Sequence, residues 1–254
     1  MIILRVFVPF AFAYLLSYLF RVVNAVIAPD MVRDLCLGAA DLGLLTSAYF
    51  LAFAAFQLPL GILLDRYGPR RVEAVLLLFA ASGAFVFAFA ETINGLIAGR
   101  ALIGFGVSAC LMAALKAYVI WVPSERLPLI NGFQLSAGGL GVLMATVPVE
   151  AALHVTDWRG IFIVLGFLTL AAAATLFMVV PEREGSHSGD SLINQIRGIG
   201  HVYSSPLFWR IVPLTVATQA AFMAIQSLWA GPWLRDIGGL ERAAVANHLF
   251  MMAV

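Results

Sequence analysis

Apolar residues run along this chain in blocks at about 6–28, 42–63, 72–91, 95–121, 130–153, 160–180 and 208–234, with short polar segments between them. About 20 mainly apolar residues in a helix cross the hydrocarbon core of a bilayer. The pattern therefore predicts seven transmembrane helices in an all-α integral membrane protein. An eighth apolar run begins near Ala243. A helix from there to Val254 rises only about 17 Å, roughly half of that core, so the sequence reads as cut short. The first block is too long for a signal-peptide core of about 7–15 residues and is interrupted by Arg21.

Composition agrees with the pattern. The chain is 62% hydrophobic and 11% charged, with a mean hydropathy of +0.98, well above the roughly 45–50% apolar content of soluble domains. A net charge of +1 argues against nucleic acid as a partner and leaves the lipid bilayer as the first one. Lys116 is the single lysine among 15 basic residues. Cys36 falls in a predicted loop and Cys110 in a predicted helix, so no disulfide is expected.

The connections sort by charge. Arg5, Arg66, Arg70, Arg71, Arg126, Arg183, Arg197 and Arg210 fall on one side, and Arg33, Arg159, Arg235 and Arg242 on the other. That asymmetry predicts a cytoplasmic N-terminus. The longest connection, from Pro181 to Pro206, opens with PEREGSHSGD and reads as a linker. Within it, SLINQIRGIGHVY places Leu192, Ile196 and Ile199 on one face, which predicts a short amphipathic helix at the membrane surface. The organisation expected is a six-helix bundle over 1–181, a cytoplasmic linker over 182–206, and the start of a second bundle over 207–254.

Charge concentrates in GILLDRYGPRRV, residues 61–72. This stretch resembles the loop between the second and third helices of the major facilitator superfamily, and Gly61, Asp65, Arg66, Gly68, Arg70 and Arg71 carry the resemblance. Three further stretches resemble that family in the same order: Arg100 and Gly104 in GRALIGFGVSA, DWRGIF at 157–162, and VVPERE at 179–184. The resemblance covers about residues 10–254. It implies a six-helix bundle of two three-helix inverted repeats, followed by a seventh helix and the start of an eighth. A substrate site is implied near the midplane between the two halves of the whole transporter. It also implies that Asp65, pairing with the arginines across its loop, belongs to a latch between the halves whose partner helix lies beyond residue 254. The glycines Gly132, Gly138, Gly139 and Gly141 lack the Gly-Pro pair of the family's antiporters, since Pro148 follows a valine.

Tyr14, Ser17, Tyr18, Arg21 and Asn24 recur at intervals of three and four, so they share one helix face. A charge inside a span costs about 2.5–3.5 kcal/mol on insertion scales and faces a cavity or a partner, unless the side chain snorkels to the interface. In a cavity, the planar fork of Arg21 suits a carboxylate, phosphate or nitrate-like anion, with Tyr14, Tyr18 and Asn24 adding polar contacts. Arg100 reads as a coupling or helix-positioning residue from the resemblance, or as a buried arginine satisfied by carbonyls. Lys116, near the arginine-rich end, reads as snorkelling or as cavity-lining. Glu150 is the one acid in a span away from the arginine-rich edge. It reads as a proton carrier or as a partner of Arg21 or Arg159. Gln219 and Gln226 share a face of the seventh helix, with Trp229 a turn beyond. They suit either a polar solute or helix packing, at about 0.6 kcal/mol per bond.

No cofactor, metal cluster or nucleophile triad is indicated, and no reacting constellation lies at one depth, so an enzyme is not expected. The leading expectation is a secondary transporter in the plasma membrane, moving a small organic or inorganic anion by alternating access. A coupling proton is among the partners this admits. The other reading is a truncated or non-transporting product, such as a sensor on a transporter scaffold.

Overall fold

The computed structural model describes residues 2–181, 203–225 and 229–253. They form helices joined by short turns, with no strand among the described residues. Six helices are long and apolar enough to cross a membrane, and a bent pair supplies a seventh. Span 1 comprises α1 (Ile2–Val22) and α2 (Asn24–Leu35), and span 2 comprises α3 (Ala39–Ala55) and α4 (Gln57–Tyr67). Span 3 is α5 (Pro69–Ala88), and span 4 is α6 (Ile93–Gly106) with α7 (Cys110–Trp121). Span 5 is α8 (Leu127–Met144) with α9 (Val147–Leu153), and span 6 is α10 (Trp158–Val179). After the linker come α11 (Pro206–Ala224), α12 (Ala230–Asp236) and α13 (Arg242–Ala253). The amphipathic helix expected within 191–203 falls, but for Tyr203, outside the described residues.

The packing obeys an internal exchange. Span 1 lies against span 5 and span 4 against span 2; span 3 meets span 4 and span 6 meets span 1; span 3 also packs on span 6. Exchanging the first three spans for the last three maps each of these contacts onto another or onto itself, as two three-helix repeats require. The breaks follow the same rule. Spans 1 and 4 are interrupted at Val23 and at Val107–Ala109, span 2 bends by 46° near Phe56, and span 5 breaks at Ala145–Thr146. Spans 3 and 6 are continuous. Irregular backbone at membrane depth survives only inside protein or beside a water-filled cavity, so the broken spans mark the interior side of the bundle.

Span 1 departs from the block at 6–28. It continues through Pro29 to Leu35 and is interrupted instead at Val23. Two glycines hold equivalent crossings tight. A Cβ on Gly104 would collide with the Tyr49 carbonyl of span 2, and one on Gly141 with the Leu15 carbonyl of span 1. In a membrane, where lipid is as apolar as leucine, such close approach is a main source of helix association.

The helix ends are closed by residues of the family-like stretches. Asp157 caps α10 by accepting from the Gly160 amide at 2.7 Å. Trp158 Nε1 donates to Asp34 at 2.8 Å. Arg159 Nη1 donates to the Ala88 and Ala90 carbonyls, each at 2.7 Å, and so closes the end of α5. Gly68, at φ 78°, takes the left-handed turn that lets Pro69 start α5.

Candidate functional site

The polar face of span 1 lies where spans 1, 2, 4 and 5 converge. Tyr14 is buried, edge-on to Tyr18 with ring centroids 5.0 Å apart. Both rings pack onto Gly138 of span 5, and this contact gives that glycine a packing role. The Arg21 guanidinium lies 4.4 Å over the Tyr18 ring and 5.2 Å over the Phe53 ring of span 2. Its Nε is buried without a hydrogen-bond partner. Arg21 therefore stays within the bundle, held by aromatic faces, and does not snorkel. Asn24 is buried at the start of α2, and its Oδ1 likewise lacks a partner. Ser17 is buried, and its backbone carbonyl faces the Tyr49 hydroxyl at 3.5 Å.

The structure does not bring all six substrate candidates together. Tyr14, Tyr18, Arg21 and Asn24 form one group. Gln219 sits on α11, none of whose residues is buried, and is exposed. Gln226 lies outside the described residues. Sequence reasoning missed Tyr49 and Phe53, which belong to span 2 and reach Arg21 only by tertiary packing. Their apolar, aromatic run YFLAF, residues 49–53, carries no signal that would separate them from lipid-facing neighbours.

Arg100 is 1% exposed. Its Nη1 donates to the Phe20 carbonyl at 2.9 Å, and its guanidinium lies 5.2 Å over Tyr49 and 5.8 Å over Phe87. A cation at a helix C-terminus is favoured by the aligned peptide dipoles. Here it meets α1 in its last turn, at the carbonyl of the residue before Arg21.

Glu150 is buried in α9 and lines a cavity of about 180 Å³ with Ala25, Pro29, Arg33, Arg235 and Leu249. Of the two arginines expected near it, Arg159 serves the carbonyls that end α5 and stacks 4.3 Å from Trp158, while Arg21 lies on Tyr18 and Phe53.

At the arginine-rich end, Asp65 pairs with Lys116 of α7. This replaces the expected pairing of Asp65 across its own loop, and Lys116 reaches toward the arginine-rich end to make it. The two side chains are 45% and 29% exposed. Arg70 donates through Nε at 3.0 Å, and also through Nη2, to the Phe177 carbonyl near the end of α10, and lies 4.9 Å over the Phe177 ring. Arg66 lies 5.6 Å over Tyr67. Arg71, with Gly68 and Arg70, lines a small cleft against Trp121 and Pro181. Gly61 is exposed and faces open space. The loop thus ties span 2 to span 4 and span 3 to span 6. Both cysteines are free, and no group able to hold a metal ion occurs among the described residues.

Paired broken spans, an internal three-helix repeat and a buried arginine face define a multi-pass transporter fold. Comparison with known proteins gives its family: the model of the Major Facilitator Superfamily matches residues 10–254, and the chain belongs to that superfamily. It is 30% identical over 175 residues to a probable sulfoacetate transporter of Cupriavidus necator, covering 69% of this chain and 41% of that protein. To a probable L-galactonate transporter of Escherichia coli it is 30% identical over 180 residues, 68% of this chain and 38% of that one. To the hexuronate transporter of Escherichia coli it is 27% identical over 252 residues, 93% and 58% respectively. The chain thus spans about two-fifths to three-fifths of these relatives' lengths. Among solved structures, an inward-facing bacterial homologue of the lysosomal transporter Spinster matches with TM-score 0.74 at 18% identity, over 98% of this chain and 59% of that one. A D-xylose–proton symporter matches with TM-score 0.73 at 14% identity, over all of this chain and 66% of that one. At these identities the structural matches speak to the fold alone.

Proposed function

We propose that this chain carries the substrate-binding half of a secondary active transporter that moves a small organic or inorganic anion by alternating access. The observation that carries the reading is Arg21: a guanidinium inside the bundle, backed by Tyr18 and Phe53, with a buried Nε that no described residue satisfies. An unmet donor on a permanent cation favours a ligand that brings oxygen lone pairs and negative charge. Relatives named for sulfoacetate, L-galactonate and hexuronate transport support the same class, since these solutes all bear carboxylate or sulfonate groups.

Tyr14, Tyr18 and Asn24 complete the anion site from span 1, with Gln219 and Gln226 as further substrate contacts from the region of α11. Arg100 acts by holding the break in span 1, and so sets the height of Arg21. The pair Asp65–Lys116, the Arg70–Phe177 contact and the rest of the 61–71 loop form the gating element at the cytoplasmic end. The N-terminus is cytoplasmic and the membrane is the plasma membrane. Glu150 is the acid available to a coupling proton at the opposite end.

A thermal-shift panel on the purified chain tests the substrate class. Carboxylates, sulfonates and nitrate are expected to stabilise wild type and to lose that effect in Arg21→Ala. A response confined to cations or neutral sugars would overturn the anion reading.

A further inference from the structure

We propose that Glu73 is a proton-binding site, built beside the Cys110 thiol, through which protonation tunes the anion site at Arg21. Glu73 stands one turn into α5 and is 0% exposed; no nitrogen or oxygen donor among the described residues meets its carboxyl oxygens, and the thiol of Cys110 beside them is a weak donor. It faces the start of α7, where the break in span 4 turns Cys110 toward it. The coupling consequence rests on the transporter reading above; the proton site itself does not.

The groups on the elements packed around α5 are spent elsewhere or carry no charge. Tyr118 of α7 lies within electrostatic reach, but its hydroxyl donates to Gln134 Oε1 at 2.6 Å, and Gln134 in turn donates to the Phe10 carbonyl. Lys116 of α7 holds Asp65 of α4, whose neighbour Arg66 is exposed. Arg100 of α6 is committed to the Phe20 carbonyl. The residues that α10 buries include Thr169, Ala172, Ala173 and Leu176, none of which titrates, and the Thr169 hydroxyl donates to the Leu165 carbonyl. Among the described residues no cation acts on Glu73. Arg21 of α1 is within electrostatic reach of Cys110.

An ionised carboxylate whose neighbouring donor is a weak thiol, with no cation beside it, is costly in such surroundings. One carboxylate and one thiol supply too few oxygen ligands for a metal cation, so the proton is the species that fits. The step is simple: the carboxylate accepts a proton and becomes the acid, no other bond changes, and the proton returns to water when the bundle opens. Neutralising Glu73 removes a negative charge beside Cys110, a thiol that Arg21 also reaches electrostatically, so an anion binds better as the pH falls.

The test is pH-difference infrared spectroscopy on the purified chain in lipid, without any substrate. A protonated-carboxyl band that titrates in wild type and is lost in Glu73→Gln is expected. A band retained in Glu73→Gln, or absent from wild type, would overturn the proposal whatever the anion panel shows. Should Glu73→Gln fail to fold, Cys110→Ala serves, because removing the adjacent thiol must shift the band; an unmoved band would equally overturn it.

Discussion

Arg21 and Asp65 show how differently two charges act in one bundle. Arg21 gains from two aromatic faces, each worth about 0.5–2 kcal/mol depending on desolvation, and keeps a donor in reserve for a ligand. Arg21→Lys keeps the charge but loses the planar fork. It is expected to retain only part of the anion-induced thermal shift, while Arg21→Ala retains none. Asp65 and Lys116 form a half-exposed pair, and such pairs contribute only about 0.2–1 kcal/mol. Asp65→Asn should therefore barely change the amount of folded protein, yet cut uptake by cells carrying the whole transporter. Uptake per folded molecule that matches wild type would refute a gating role. The Arg21 face was legible in the sequence because its spacing is local. The Asp65–Lys116 pair was not, because it joins residues 51 apart in the chain, on spans 2 and 4, which meet only by tertiary packing.

Helix ends and crossings decide the element scale. Arg159 satisfies two carbonyls that the end of α5 leaves open. Arg159→Ala strands them, at about 1–3 kcal/mol for each buried group left unmade. A fall of that size in unfolding free energy, measured by denaturant titration in detergent, is the expected result. Gly104 meets the Tyr49 backbone at the crossing of spans 4 and 2. Gly104→Val should cost at least the roughly 1–3 kcal/mol typical of overpacking, visible as lost folded yield, whereas Gly61→Ala, facing open space, should be silent. Apolar block length announced these spans well. The breaks at Val23 and Val107–Ala109 were not announced, since no proline stands at either; tertiary contacts such as that of Arg100 with the Phe20 carbonyl hold the first.

For the whole molecule, orientation offers a test that needs no substitution in the protein. Cys36 is exposed at the end carrying Asp30 and Asp34, whereas Cys110 is buried. A membrane-impermeant maleimide is expected to label Cys36 on intact cells and to leave Cys110 untouched until the protein is unfolded. Labelling only in inside-out vesicles would reverse the proposed topology. The amino-acid order by itself determined that this is a multi-pass helical protein, where its spans lie and which superfamily it resembles, because spanning depends on the hydrophobicity of a continuous segment. It could not determine which face of each span is buried. Lipid tails are as apolar as a protein core, so the pattern that reveals an inward face in water is silent here. Only the tertiary structure decided that Phe53 backs Arg21 while Leu51 is exposed, and that Glu73, which sits among arginines in the sequence, is shut inside the bundle beside a thiol.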